Sequence, residues 1–128
     1  MKIAIYIYEG ITALDAIGPY ESLSRLPDLE LLFVSKSKGM IRTGNNMLGI
    51  NADYDIQSVS EADILIIPGG STQSIQKMIA DEDLLKWIKH IDAKTKWTCS
   101  VCTGTLVIGA AGLIKGCLLY TSPSPRDS

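Results

Sequence analysis

Asp63 is followed by Ile64-Leu65-Ile66-Ile67, four apolar residues without a break, and the run stops abruptly at Pro68-Gly69-Gly70. A strand that is apolar at every position is expected to be buried on both faces, as in parallel sheets covered by helices on either side. A second run, Lys2 to Tyr8 (K-I-A-I-Y-I-Y), is β-branched and aromatic and ends at Glu9-Gly10. It reads as a first parallel strand. Burial on both faces calls for helices packed on either side of these strands.

Thr12-Ala-Leu-Asp15 matches the start signal of a helix, and Leu14, Ile17, Leu23 and Leu26 carry it to about Leu26. Pro19 falls inside that span, where its ring meets the carbonyl of Asp15, so the helix is expected to kink there or restart at Gly18-Pro19. Leu31 to Ser35 reads as the second strand, after a Pro27-Asp28 turn, and closes a right-handed β-α-β unit. Gly39 to Asp53 carries short alternating pieces, Met40 to Arg42 and Met47 to Ile50, around Asn45-Asn46, a small hairpin excursion. Ser71 to Ala80 gives a short helix at most. Asp81 caps the next one, with Leu84, Ile88 and Ile91 inward, Trp87 beside them, and Lys86, Lys89, His90 and Lys94 outward. Trp97 to Val101 is the next strand, and Thr105 to Ala111 a helix ended by Gly112. The order β-α-β-β-β-α-β-α indicates a three-layer α/β fold with a largely parallel sheet.

A chain of 128 residues with 46% apolar content is long enough for one ordinary buried core. Acidic residues number 14 and basic ones 12, without a dense Lys/Arg cluster, which argues against a nucleic-acid or anionic-membrane surface. No apolar run approaches the roughly 18 residues that span a membrane. Three cysteines without a disulfide-framework spacing point to a reducing, cytoplasmic setting. The stretch after Gly116, C-L-L-Y-T-S-P-S-P-R-D-S, has neither helical nor strand period. It reads as translated adaptor or vector sequence joined to a shortened reading frame. The domain is therefore placed at residues 1–116 and a non-native, disordered tail at 117–128.

The chemistry concentrates at Thr98 to Ala111, T-C-S-V-C-T-G-T-L-V-I-G-A-A. A strand meets Cys102, and Gly104 releases the chain into a helix, with Ser100 two residues before the cysteine. That is the arrangement of a nucleophile elbow. A thiol at a strand end above a helix N-terminus is expected to be more acidic than a free one, hence nucleophilic near neutral pH; a buried packing cysteine is the plain alternative. Cys99 completes a C-x-x-C spelling, but three residues along a strand lie on opposite faces, which disfavours a redox dithiol. No second ligand pair exists for a metal. Asp15 lies just past the first strand, at the sheet edge where open α/β folds bind ligands. Two roles stay open for it: acid–base partner of Cys102, or closure of a capping box with Thr12. Gly69 and Gly70 end a third strand at that edge, and suit either backbone oxyanion donors or a plain tight turn. His90, the single histidine, falls on a lysine-rich helix face, so no Cys-His pair of the protease type can be built.

The segments I-A-I-Y-I-Y-E-G, L-D-A-I-G-P-Y-E, D-I-L-I-I-P-G-G and S-V-C-T-G-T-L-V-I-G-A-A-G-L-I-K-G resemble, in that order, the DJ-1/PfpI superfamily and its isonitrile hydratase branch. The resemblance covers Met1 to about Gly116. It implies a flavodoxin-like sandwich, usually a homodimer, acting on a small-molecule substrate as a lyase with neither metal nor organic cofactor. Cys102 then corresponds to the nucleophile, Asp15 to its acidic partner, Thr103 to a neighbouring site residue and Gly70 to a backbone oxyanion donor. Thr103 stands where the peptidase branch has histidine, which disfavours proteolysis. Relatives continue past the equivalent of Lys115-Gly116 with more strand and a closing helix. Two other roles are implied by similar domains: ligand sensing ahead of a helix-turn-helix in AraC-type transcription regulators, and a DJ-1-like stress activity on glyoxals or glycated groups.

Overall fold

The computed structural model describes residues 1–101, 104–112 and 117–118. Its elements are β1 (Lys2–Tyr6), α1 (Ala13–Leu23), β2 (Glu30–Ser35), β3 (Gly39–Arg42), β4 (Gly49–Ala52), β5 (Tyr54–Asp55), β6 (Ile64–Ile67), α2 (Thr72–Ile79), α3 (Glu82–Asp92), β7 (Trp97–Ser100), α4 (Gly104–Ala110) and β8 (Cys117–Leu118). Six strands form one sheet in the order β5-β2-β1-β6-β7-β8, and β3-β4 make a separate ribbon. Every pairing in the large sheet is parallel.

The apolar runs behave as their composition requires. Ile3, Ile5, Ile7, Leu65, Ile66 and Ile67 have no solvent exposure, and β1 lies between β2 and β6 in the sheet. Register shows how both faces are covered. Ile5 pairs with Phe33 and Tyr6 with Val34, so Phe33 and Tyr6 point to opposite sides. Tyr20 of α1 packs on Phe33 with ring centroids 5.7 Å apart. Trp87 of α3 packs on Tyr6 at 5.9 Å. Hence α1 and α3 lie on opposite faces, and the fold is a three-layer flavodoxin-like sandwich.

Helix ends follow local chemistry. Asp81 accepts from the Leu84 N–H (3.2 Å) to cap α3, and Ser71 accepts from the Ser74 N–H (3.2 Å) to cap α2. Gly112, at φ +83°, closes α4 in the left-handed region that glycine tolerates. The hairpin turns at Asn45-Asn46. Asn45 Oδ1 accepts from Thr43 Oγ1 and the Met47 N–H, and Asn46 takes φ +62°.

The structure differs from the sequence expectations at the first helix, the second hairpin arm and one added edge strand. Of the two readings at Pro19 the restart is not taken, since one helix runs through it, and that helix stops at Leu23, short of Leu26. Its buried residues are Asp15 and Ala16, and Leu23 packs partly buried against the core, whereas Leu14, Ile17 and Leu26, the other apolar residues that mark the helix, are exposed. The second hairpin arm is Gly49–Ala52, later than the alternating piece Met47–Ile50, because the turn itself takes up Thr43 to Leu48: the Thr43 N–H donates to the Leu48 carbonyl at 3.0 Å. A two-residue strand, Tyr54–Asp55, adds to the sheet edge beyond β2. At the placed domain end, Cys117–Leu118 pair with Cys99–Ser100; residues 119–128 lie outside the described residues.

Candidate functional site

Strand order decides where a site can form. The chain leaves β1 toward β2 on one side and leaves β6 toward β7 on the other, so the crossover direction reverses between β1 and β6. Outside the carboxyl ends of two such strands the following loops diverge and leave a crevice. Here those loops are Ile7 to Thr12, after β1, and Pro68 to Ser71, after β6.

Backbone hydrogen bonds tie the two loops to each other and to the hairpin. The Thr12 N–H donates to the Gly69 carbonyl, the Ser71 N–H to the Gly10 carbonyl, and the Gly44 N–H to the Ile11 carbonyl, each at 2.9 Å. The approach leaves no room for side chains. A Cβ on Gly70 would stand 2.7 Å from the Gly10 carbonyl oxygen and 2.8 Å from Tyr8 Cε2. Glycine is therefore required at 70 by contact with backbone. An open cleft of about 410 Å³ lies along this seam, lined in part by Thr12, Thr43, Asn45 and Gly70.

Asp15 sits below it with only 7% of its surface exposed. Thr12 occupies the helix N-cap but its side chain makes no capping bond. The capping box is thus not formed from the Thr12 side. The Asp15 carboxylate reaches across the crevice instead, and its Oδ2 accepts from the Gly69 N–H at 3.3 Å. The Gly69 N–H is accordingly turned to Asp15, while Gly70 borders the cleft. A residue that sequence reading treated only as strand joins them. Tyr8, 6% exposed, donates its hydroxyl to the Pro68 carbonyl at 2.7 Å. Burial pushes the Tyr8 phenol far up, and the Asp15 charge pushes it further, so it stays protonated. An aromatic residue with a polar tip, placed where an apolar strand reaches the sheet edge, was the signal available for it.

Cys102 and Thr103 lie outside the described residues. Their flanks are described. Strand β7 ends at Ser100, and the Val101 N–H donates to the Ile67 carbonyl at 3.1 Å. Helix α4 then begins at Gly104, whose N–H donates to the Val101 carbonyl at 3.0 Å. A Cβ on Gly104 would fall 2.1 Å from the Ile67 carbonyl oxygen and 2.9 Å from that of Pro68. The glycine after the cysteine therefore lets α4 press directly on the end of β6. The structure thus gathers Asp15, Gly69 and Gly70 at one edge. Cys99 is buried in β7 and His90 is exposed on α3. Among the described residues no group of three or more His, Cys, Asp or Glu is placed to hold a metal, and no helix is long and apolar enough to cross a membrane.

Comparison with known proteins agrees with this architecture. The family model described as DJ-1/PfpI family matches residues 1–128. An isonitrile hydratase of Pseudomonas putida is 31% identical over 116 residues, covering 91% of this chain and 50% of that protein. Among solved structures, a ThiJ/PfpI family protein from Pseudomonas syringae superposes with a TM-score of 0.82 at 28% identity, over 88% of this chain and 46% of that one. Oxidized DJ-1 of Toxoplasma gondii reaches 0.75 at 21% identity, over 88% and 61%, a likeness of fold. The chain thus spans about half the length of the hydratase it matches.

Proposed function

The chain belongs to the DJ-1/PfpI family, and we propose that it serves as an isonitrile hydratase, converting R-N≡C and water to an N-substituted formamide. The observation that carries this reading is the buried Asp15, turned away from helix capping and into the crevice. The 31% identity to an isonitrile hydratase supports this choice of substrate class.

In the proposed mechanism the Cys102 thiolate attacks the terminal carbon of the isonitrile, and as the carbon–sulfur bond forms the same carbon takes up a proton from Asp15, giving the thioimidate R-N=CH-S-Cys102. Water then adds to the thioimidate carbon. Asp15 accepts a proton from that water and passes it to the nitrogen; collapse of the R-NH-CH(OH)-S adduct then returns the hydroxyl proton to Asp15, expels the Cys102 thiolate and leaves the formamide. Backbone N–H groups of Gly70 and Thr103 have the role of stabilising charge during addition and collapse. Gly69 contributes by holding Asp15. The exposed Leu14 and Ile17 on α1 support a homodimer, since they form an apolar patch that the described residues leave open.

The test is substrate competition by class. The protein is incubated with a simple alkyl isonitrile and, separately, with methylglyoxal, and formamide and lactate are quantified. Formamide without lactate supports the reading. Lactate without formamide rejects it in favour of a glyoxalase-type activity.

A further inference from the structure

The peptide group between Pro68 and Gly69 is held at both ends. Its carbonyl accepts from the Tyr8 hydroxyl at 2.7 Å, and its N–H donates to Asp15 Oδ2 at 3.3 Å. These belong to one planar, conjugated unit, so polarising the carbonyl strengthens the N–H as a donor. The sequence Tyr8 O–H, Pro68 C=O, Gly69 N–H, Asp15 carboxylate is therefore one continuous hydrogen-bond chain.

We propose that Tyr8 is a positioning residue for Asp15, acting through the Pro68–Gly69 peptide without touching the substrate. The inference deepens the hydratase reading and rests on it for its kinetic arm. Three features fit it. The Tyr8 ring also lies against Gly70, where an added Cβ would meet Cε2 and the hydroxyl at 2.8 Å, so one side chain braces both glycines of the loop. Tyr6 stacks on Tyr8 with centroids 5.9 Å apart and so also restrains the ring. The phenol keeps its proton, because burial, the Asp15 charge and Tyr6 all oppose ionisation. Tyr8 is thus a permanent donor that neither gains nor loses a proton during turnover.

The removal to make is Tyr8→Phe, which keeps the ring and deletes the donor. The Gly69 amide is followed by NMR in the free protein, without substrate. Its proton is expected to move upfield and to exchange about tenfold faster, the equivalent of one ordinary hydrogen bond, while amides of Ile5 and Val34 keep their protection. For isonitrile hydration, kcat is expected to fall several-fold with KM unchanged, the pattern of a group that matters after binding. Unmoved Gly69 signals overturn the relay, whatever the activity. Moved signals with unchanged kcat overturn the positioning role. Moved signals in a protein that hydrates no isonitrile support the relay and count against the hydratase reading alone. Should Tyr8→Phe fail to fold, 3-fluorotyrosine at position 8, a stronger donor of similar size, is expected to move the Gly69 proton downfield, and no movement overturns the proposal.

Discussion

Two glycines of the same helix are predicted to respond to alanine in opposite directions. At Gly104 the new methyl group would stand 2.1 Å from the Ile67 carbonyl oxygen, 2.9 Å from that of Pro68 and 3.0 Å from the Ile67 carbonyl carbon. None of these is the end of a flexible side chain. Ile67 is pinned by sheet pairing with Ser100 and by the Val101 N–H, so α4 must lift, by about 1 Å to restore ordinary contact. Overpacking of this kind costs about 1–3 kcal/mol, and the gain in helix propensity at a first-turn position offsets little of it. At Gly109, by contrast, an added Cβ meets nothing within 4 Å among the described residues. Alanine there removes backbone freedom from the unfolded chain and is expected to stabilise by about 0.4–1 kcal/mol. In urea, with a slope of roughly 1–1.5 kcal/mol/M for a domain of this size, the Gly104→Ala midpoint should fall by about 1–2 M and the Gly109→Ala midpoint rise by roughly 0.5 M. Midpoints that move in the same direction, or an unchanged Gly104→Ala, would refute the close approach of α4 to β6.

Asp81→Ala removes the cap of α3 and is expected to cost about 1 kcal/mol in urea denaturation at neutral pH, with little added by the half-exposed Lys36 pair. Partial burial raises the Asp81 carboxyl, but hydrogen bonds from Lys36 and the Leu84 amide and the Lys36 charge outweigh it, leaving the group below its ordinary 3.8. A depressed folded-state pKa gives stability present above the unfolded value and lost as pH falls through the folded one, so the wild-type advantage should shrink below about pH 4. Trp87→Phe deletes the indole N–H that donates to the buried Val59 carbonyl at 2.8 Å. A loss of about 1–3 kcal/mol is expected; the fluorescence change on unfolding should also largely vanish, since Trp97 is already 55% exposed. Asp15→Asn keeps an acceptor for the Gly69 N–H while removing the charge and the exchangeable proton. Formamide production should fall at least about a hundredfold with the urea midpoint nearly unchanged, and retention of rate would remove Asp15 from proton transfer.

Much of this architecture is legible in the residues because burial on two faces leaves a local mark. Ile64–Ile67 and Lys2–Tyr8 declare themselves by unbroken apolar content, and Leu84, Ile88 and Ile91 by period, with Asp81 and Gly112 punctuating the helices they adjoin. Helix α1 was misread in detail for the converse reason. Its apolar residues Leu14 and Ile17 face outward while its buried face carries a carboxylate and an alanine, so periodicity found the helix but pointed its inner side the wrong way. The short strand Tyr54–Asp55 has no composition of its own and exists only because β2 offers an edge. At the site, the motif segments singled out Asp15, Gly69 and Gly70 at one sheet edge. The choice between capping and crossing the crevice was not local: it depends on a bond spanning from residue 15 to residue 69. Tyr8 escaped for the same reason, since its partner carbonyl at Pro68 is 60 positions away. Gly104 was legible as an elbow glycine, yet the backbone it must clear belongs to another strand.

The central claim is that Cys102 performs covalent chemistry on an isonitrile. Its most direct test is formamide production by Cys102→Ala against wild type at equal concentration, with folding matched by urea midpoint. The account predicts formamide from the wild type and none above the uncatalysed rate from the variant. Undiminished turnover by Cys102→Ala would contradict it.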